Sequence, residues 1–124
     1  MELESDWAVG SPVTWREREV EMRDPERQVV LVSEPCRRLS YTWHTYTPEW
    51  GKVHGFSDED FARLAAEPRT KVTFDIEPAG STVRLTVTHD DFEPGSLILE
   101  NVRQGWPHLL SSLKTLLESG EPLP

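Results

Sequence analysis

Apolar and polar residues alternate with a period of two over most of the first ninety residues. Val13 and Trp15 alternate with Thr14 and Arg16, and Leu39, Tyr41 and Trp43 with Ser40, Thr42 and His44. Val72, Phe74 and Ile76 alternate with Thr73, Asp75 and Glu77, and Val83, Leu85 and Val87 with Arg84, Thr86 and Thr88. Such runs of β-branched and aromatic residues predict strands with one buried and one wet face. A fifth segment, Gln28 to Ser33, carries the continuous run Val29-Val30-Leu31-Val32, which has the length of a buried strand. Gly10-Ser11-Pro12, Arg23-Asp24-Pro25-Glu26 and Glu34-Pro35 punctuate these runs as turns. Glu77-Pro78-Ala79-Gly80-Ser81 joins two of them as a hairpin.

Two stretches depart from this period. Between Tyr46 and Pro68, Thr47 to Gly51 and His54-Gly55 read as loop. Ser57 caps an acidic first turn, Asp58-Glu59-Asp60, of one short helix through Ala66. Toward the C-terminus, Trp106, Leu109, Leu110, Leu113, Leu116 and Leu117 fall on one helical stripe. Gly120 and Pro122 stop that helix. Pro107 sits either in its first turn or at a kink in a longer helix that starts near Leu97. An antiparallel sheet must cover its apolar face, and the striped helix is the available cover. The predicted architecture is α+β: a curved antiparallel sheet of about five to six strands wrapped around a long C-terminal helix, with one short helix in a mid-chain excursion. It forms a single domain over residues 1–124.

Charge narrows the partners. Thirteen Lys and Arg against 22 Asp and Glu leave a net charge of −9, which repels phosphate backbones and anionic lipid, so neither nucleic acid nor membrane is an expected partner. The basic cluster Arg16 to Arg18 is interleaved with Glu17 and reads as a solvated strand face and loop. The N-terminus has neither a basic start nor an apolar core of a leader, no apolar run reaches membrane-spanning length, and Cys36 has no partner for a disulfide. The cytoplasm is therefore the expected compartment.

Several pieces, in order, resemble one family. They are Leu3 to Trp7 with Gly10 to Trp15, Glu34 to Leu39 with Tyr41-Thr42-Trp43, Val72 to Pro78, Leu85 to His89, and Gly105-Trp106-Pro107 with Leu113-Lys114 and Leu117 to Gly120. The family is the branch of the SRPBCC (START-related) helix-grip proteins named after homology to the activator of the 90-kilodalton heat-shock-protein ATPase. The resemblance covers nearly the whole chain. It implies a cavity between sheet and long helix that takes apolar or amphipathic molecules, and a co-chaperone role for the protein that names the branch. Such domains open with one further strand and two short helices, and this chain starts at what would be the second strand. The resemblance therefore implies an open sheet edge, which a two-fold homodimer is expected to close.

The chemistry on offer is that of binding. His44, His54, His89 and His108 have no His or Cys partner at metal-ligand spacing, and His89-Asp90-Asp91 reads as a solvated strand end. No phosphate loop, dinucleotide fingerprint or nucleophile elbow is written in the chain. Some proteins of this fold are cyclases or hydrolases that use a carboxylate or histidine at the cavity mouth. Here Asp75, Glu77 and His44 alternate with the apolar face and are expected to point to water. The expectation is therefore no catalytic residue, no metal and no cofactor. The supply of aromatics is generous, with five tryptophans in 124 residues. Trp15, Tyr41, Trp43, Phe74, Leu85, Trp106, Leu110 and Leu113 lie on the predicted inward faces. They are the candidate contacts for a flat apolar small molecule, with an indole N–H or Tyr hydroxyl as polar handle. The alternative is a filled core and a protein-interaction module, co-chaperone-like or a dimeric regulatory subunit.

Overall fold

A computed structural model describes residues 1–121. Seven antiparallel strands and four helices follow one another in the order β1 Glu2–Glu4, β2 Thr14–Glu17, β3 Val20–Met22, β4 Val30–Glu34, β5 Arg38–Thr42, α1 Pro48–Val53, α2 Asp58–Ala65, β6 Lys71–Ala79, β7 Thr82–Asp90, α3 Leu97–Arg103 and α4 Gly105–Ser119. The class is α+β, the element content of a helix-grip protein. The chain divides into two compact units, Met1–Glu93 and the residues from Pro94 onward.

The strands of the first unit form two sheets, β1-β2-β3 and β4-β5-β6-β7, where one sheet of five or six strands was expected. The two are stitched at the entries to β2 and β4. Pro12 bridges Val29, Val13 N donates to Gln28 O at 2.8 Å, Val30 N to Ser11 O at 3.0 Å, and Gly10 N to Val30 O at 2.8 Å. The ladder goes no further because Gln28 N is bonded to Asp24 O and Ser11 N to Ala8 O, within their own turns and not across the strands. In the larger sheet the register puts Tyr41 opposite Val72 and Val72 opposite His89. Leu39, Phe74 and Val87 form a second row, and Ile76 faces Leu85. Paired residues share a face, so the predicted apolar alternation lies on one side of the sheet.

The centre of the stitch is a fully buried amide. Gln28 Nε2 donates to Val13 O at 2.6 Å and Met22 O at 2.8 Å, and its Oε1 accepts from Thr45 N at 2.8 Å. One side chain thus satisfies backbone groups from three segments that meet where the ladders stop. On the opposite, wet face Arg16 reaches Glu4 at 2.8 Å and Glu21 at 3.0 Å across the three short strands.

Two helices, not one, fill the mid-chain excursion. The extra one, α1, has Thr47 as its N-cap, accepting from Trp50 N, and Pro48 in its first turn. Its Gly51 is demanded by packing, because a Cβ there would lie 2.6 Å from the Phe61 ring of α2. The predicted helix after Ser57 is α2, with the Ser57 hydroxyl accepting from Asp60 N. In the second unit both readings of Pro107 are realised. The helix starts at Leu97, breaks at Gln104 and resumes as α4, with Pro107 in its first turn, where a missing N–H costs least. Gly120 ends α4 in the left-handed conformation, as expected, and Pro122 lies outside the described residues.

Replacing Gln28 by Met keeps the side-chain length and removes all three bonds. Each buried backbone group left unpaired costs about 1–3 kcal/mol, so the variant should lose at least about 3 kcal/mol in urea unfolding. A loss below about 1 kcal/mol would show that the amide is not what joins the sheets.

Candidate functional site

The apolar face of the larger sheet and the segment after β5 build one aromatic cluster in the first unit. Trp15 is its hub, with its ring centroid 4.8 Å from Trp43, 5.0 Å from His44 and 5.8 Å from Tyr41. Tyr41 extends the cluster to Phe74 at 5.9 Å and Trp7 at 6.0 Å. His44 extends it to Tyr46 at 4.5 Å and Trp50 at 5.8 Å, and Trp50 carries it to His54 and Phe56. Trp43 also meets His89 at 4.5 Å, and His89 meets Phe92 at 4.6 Å. Tilted and edge-on pairs predominate, the arrangement that ring quadrupoles favour.

Of the eight predicted site residues, five lie in this unit. Trp15 is 1% exposed, Tyr41 7% and Trp43 8%. Phe74 is half-buried, and Leu85 is 38% exposed. The structure thus brings Trp15, Tyr41, Trp43 and Phe74 into one network and sets Leu85 further along the same face. The other three, Trp106, Leu110 and Leu113, are half-buried residues of α4 in the second unit and share the predicted stripe. Two surface grooves of the first unit are polar and use none of the eight. One, of about 270 Å³, is lined by Glu34, Arg37, Arg38, Asp75, Ile76 and Glu77. The other, of about 280 Å³, is lined by residues around Arg16 and Arg23.

His44, Tyr46, Trp50 and His89 belong to the cluster and were not among the sequence candidates. His44 was expected to point to water, by alternation with Tyr41 and Trp43, and is instead buried. The alternation fails because β5 ends at Thr42. From there the chain is held by Arg69, which donates to Trp43 O at 2.9 Å and Thr45 Oγ1 at 2.8 Å. Asp24 accepts from Thr45 Oγ1 at 2.7 Å. His89 is likewise no solvated strand end: its Nε2 lies 2.9 Å from the Thr70 hydroxyl and its ring packs between Trp43 and Phe92. The signal available for Trp50 was Thr47-Pro48, a cap followed by a first-turn proline, which announces a helix too short for periodicity to show.

The polar tips inside the cluster are unevenly served. Trp43 Nε1 donates to the Tyr46 hydroxyl at 2.9 Å, and His44 Nδ1 donates to Thr45 O at 3.0 Å. The indole N–H groups of Trp15 and Trp50 are buried with no hydrogen-bond partner. His54 Nε2 lies 3.4 Å from Glu17 Oε1 without hydrogen-bond geometry. Burial pushes the Tyr41 and Tyr46 phenols above their usual range. It also lowers His44 to about 4, against the pull of its bond to Thr45, and His89 to about 4, with the neighbouring His44 adding to the effect. Both imidazoles are therefore neutral at physiological pH. Among the described residues no group of three His, Cys, Asp or Glu is placed to hold a metal ion, and no helix is long and apolar enough to cross a membrane.

Antiparallel strands with an aromatic inner face, followed by a striped C-terminal helix, define an SRPBCC-type binding module. A family model described as activator of Hsp90 ATPase homolog 1-like protein matches residues 1–118, and the chain belongs to that family. Its members are generally non-catalytic binders or activators, linked to small molecules or to Hsp90-type protein partners. No curated protein and no solved structure matches the chain.

The two neutral histidines make stability depend on pH. The unfolded chain takes up these protons near pH 6.5 and the folded chain only near pH 4. Protonation in that window therefore favours unfolding. Stability is complete above about pH 6.5 and falls as the pH drops toward 4. For His44 the loss approaches about 3 kcal/mol. Urea melts at stepped pH should show His44→Phe with a flatter acid limb than the wild type; an unchanged limb would mean that His44 titrates normally.

Proposed function

We propose that this chain is a non-catalytic binding module for a flat apolar or aromatic small molecule, bound against Tyr41, Trp43 and Phe74. Trp15, almost wholly enclosed, packs against Tyr41 and Trp43. The observation that carries this reading is the pair of unpartnered indole donors, Trp15 Nε1 and Trp50 Nε1, inside the aromatic cluster. A cluster that served packing alone would favour Phe at these positions, because an unmet buried donor costs about 1–3 kcal/mol. A ligand that offers an aromatic face and hydrogen-bond acceptors suits a cluster of this kind.

A second reading, a protein-interaction module, is favoured by the far end of the same face. Ile76 and Leu85 are more than one third exposed and Val83 is 68% exposed. Apolar groups in a row at a sheet edge suit a protein surface.

Thermal melts against a panel of apolar and aromatic compounds test the first reading. A compound at a hundredfold excess over its Kd adds about 2.7 kcal/mol, a shift of several degrees for a domain of this size. Phe74→Ala and Trp43→Ala should abolish that shift while Val83→Ala retains it. Trp106→Ala asks the same question of α4. Equal loss in every variant, or no shift with any compound, would overturn the small-molecule reading.

A further inference from the structure

Tyr41 stands in the middle of the aromatic wall. Its ring centroid lies 5.8 Å from Trp15, 5.9 Å from Phe74 and 6.0 Å from Trp7, and across the ladders it faces Val30 and Val72. Each of these neighbours is apolar or aromatic. The residue is 7% exposed, yet its hydroxyl makes no hydrogen bond among the described residues. No charged side chain acts on the phenol. Burial raises it above its usual range, so it keeps its proton at physiological pH.

The other polar tips of the cluster are differently placed. The Tyr46 hydroxyl is bonded by Trp43 Nε1 and packs beside His44 and Trp50. His44 gives its Nδ1 proton to Thr45 O, so its Nε2 can only accept. His89 Nε2 lies against the Thr70 hydroxyl. Tyr41 alone among the buried hydroxyls of the cluster sits on the wall formed with Trp43 and Phe74. Phe at this position would pack against Trp15 and Phe74 equally well without burying an unmet hydroxyl, so packing does not explain the oxygen. A second cost lies next to it. Trp7 is held at φ 60, a left-handed conformation rare for a bulky residue, at the start of a loop that Gly10 N anchors to Val30 O. Costs of this kind gather at ligand sites.

We propose that the Tyr41 hydroxyl selects the ligand, donating a hydrogen bond to the carbonyl oxygen of an uncharged aromatic compound. This assignment rests on the small-molecule reading above and gives it a chemical class, an aryl ketone, aldehyde or lactone. A phenol donates more readily than it accepts, because its lone pair is shared with the ring. A carboxylate is the wrong ligand, since no neighbour of Tyr41 is a cation that could pair with it.

Acetylnaphthalene and isopropenylnaphthalene differ only in a carbonyl oxygen exchanged for a methylene. In equilibrium dialysis the wild type should bind the ketone about tenfold tighter than the hydrocarbon. Tyr41→Phe should bind the two equally, with the affinity for the hydrocarbon unchanged. Naphthoate should bind the wild type more weakly than the ketone does. The same variant has a readout that needs no ligand. Removing a hydroxyl that bonds nothing in the fold loses nothing, so Tyr41→Phe should melt at or above the wild-type temperature. A melting temperature lower by about 4 °C or more would show the hydroxyl to be bonded within the fold and overturn the assignment. Equal affinities for ketone and hydrocarbon in the wild type would also overturn it. So would a preference for the ketone that survives in Tyr41→Phe, or naphthoate binding tightest. In these binding outcomes the small-molecule reading stands, because compounds bind. If neither neutral compound binds, the assignment falls together with that reading.

Discussion

The first unit depends on a single buried amide. The ladders of β1-β2-β3 and of β4 to β7 end at the same place, and ends of ladders leave backbone donors and acceptors without partners. Gln28 meets one group from each of three segments there, Val13 O, Met22 O and Thr45 N. Ser, Asn or an apolar residue would lack either the reach or the donor and acceptor pair. Without it the two sheets would be held by the short bridge at Pro12 and Val29 and by the apolar contacts above it. The aromatic cluster sits on this joint, because Trp15 belongs to one sheet and Tyr41 and Phe74 to the other.

From Gln28 the polar network runs outward and sets the position of the rings. Thr45, whose N–H is spent on Gln28, gives its hydroxyl proton to Asp24 and accepts from Arg69, which also holds Trp43 O. The backbone of residues 43 to 45 is thereby fixed just where the strand ends, and Trp43 and His44 are both turned into the cluster. Two imidazoles kept neutral by burial and two indoles without acceptors are the chemical result. The cluster is thus apolar in its walls and donor-rich in its polar remainder, and the proposed binding reading rests on that combination.

The strands that carry the apolar face were legible because their pattern is strict: Leu39-Tyr41, Val72-Phe74-Ile76 and Val83-Leu85-Val87 all appear in β5, β6 and β7 on one face. The strands β1 and β3, of three residues each, are too short for a period to show. The turn between β2 and β3 is Arg18-Glu19, both at positive φ, where a hairpin signal would be Asn-Gly. That conformation is imposed by the flanking pairs Glu17 with Val20 and Arg16 with Glu21, reinforced by the Arg16 ion pairs, so tertiary pairing overrides local preference. The candidate site was half legible for the same reason. Trp15, Tyr41, Trp43 and Phe74 follow from strand alternation, whereas His44, Tyr46 and Trp50 enter the cluster after the strand has ended, where alternation no longer says which way a side chain points.

The apolar face changes character along its length. Near Val72 and Tyr41 it is closed by Trp15 and Trp43, while toward the β6–β7 turn Ile76, Leu85 and Val83 are open. A face serving only as core would be expected to be covered evenly, since each exposed methylene forgoes about 0.8 kcal/mol of burial. The open end carries Arg84, which stands opposite Glu77 and forms no ion pair among the described residues. The two ends of this face are therefore different environments, one enclosed by rings and the other an exposed apolar surface.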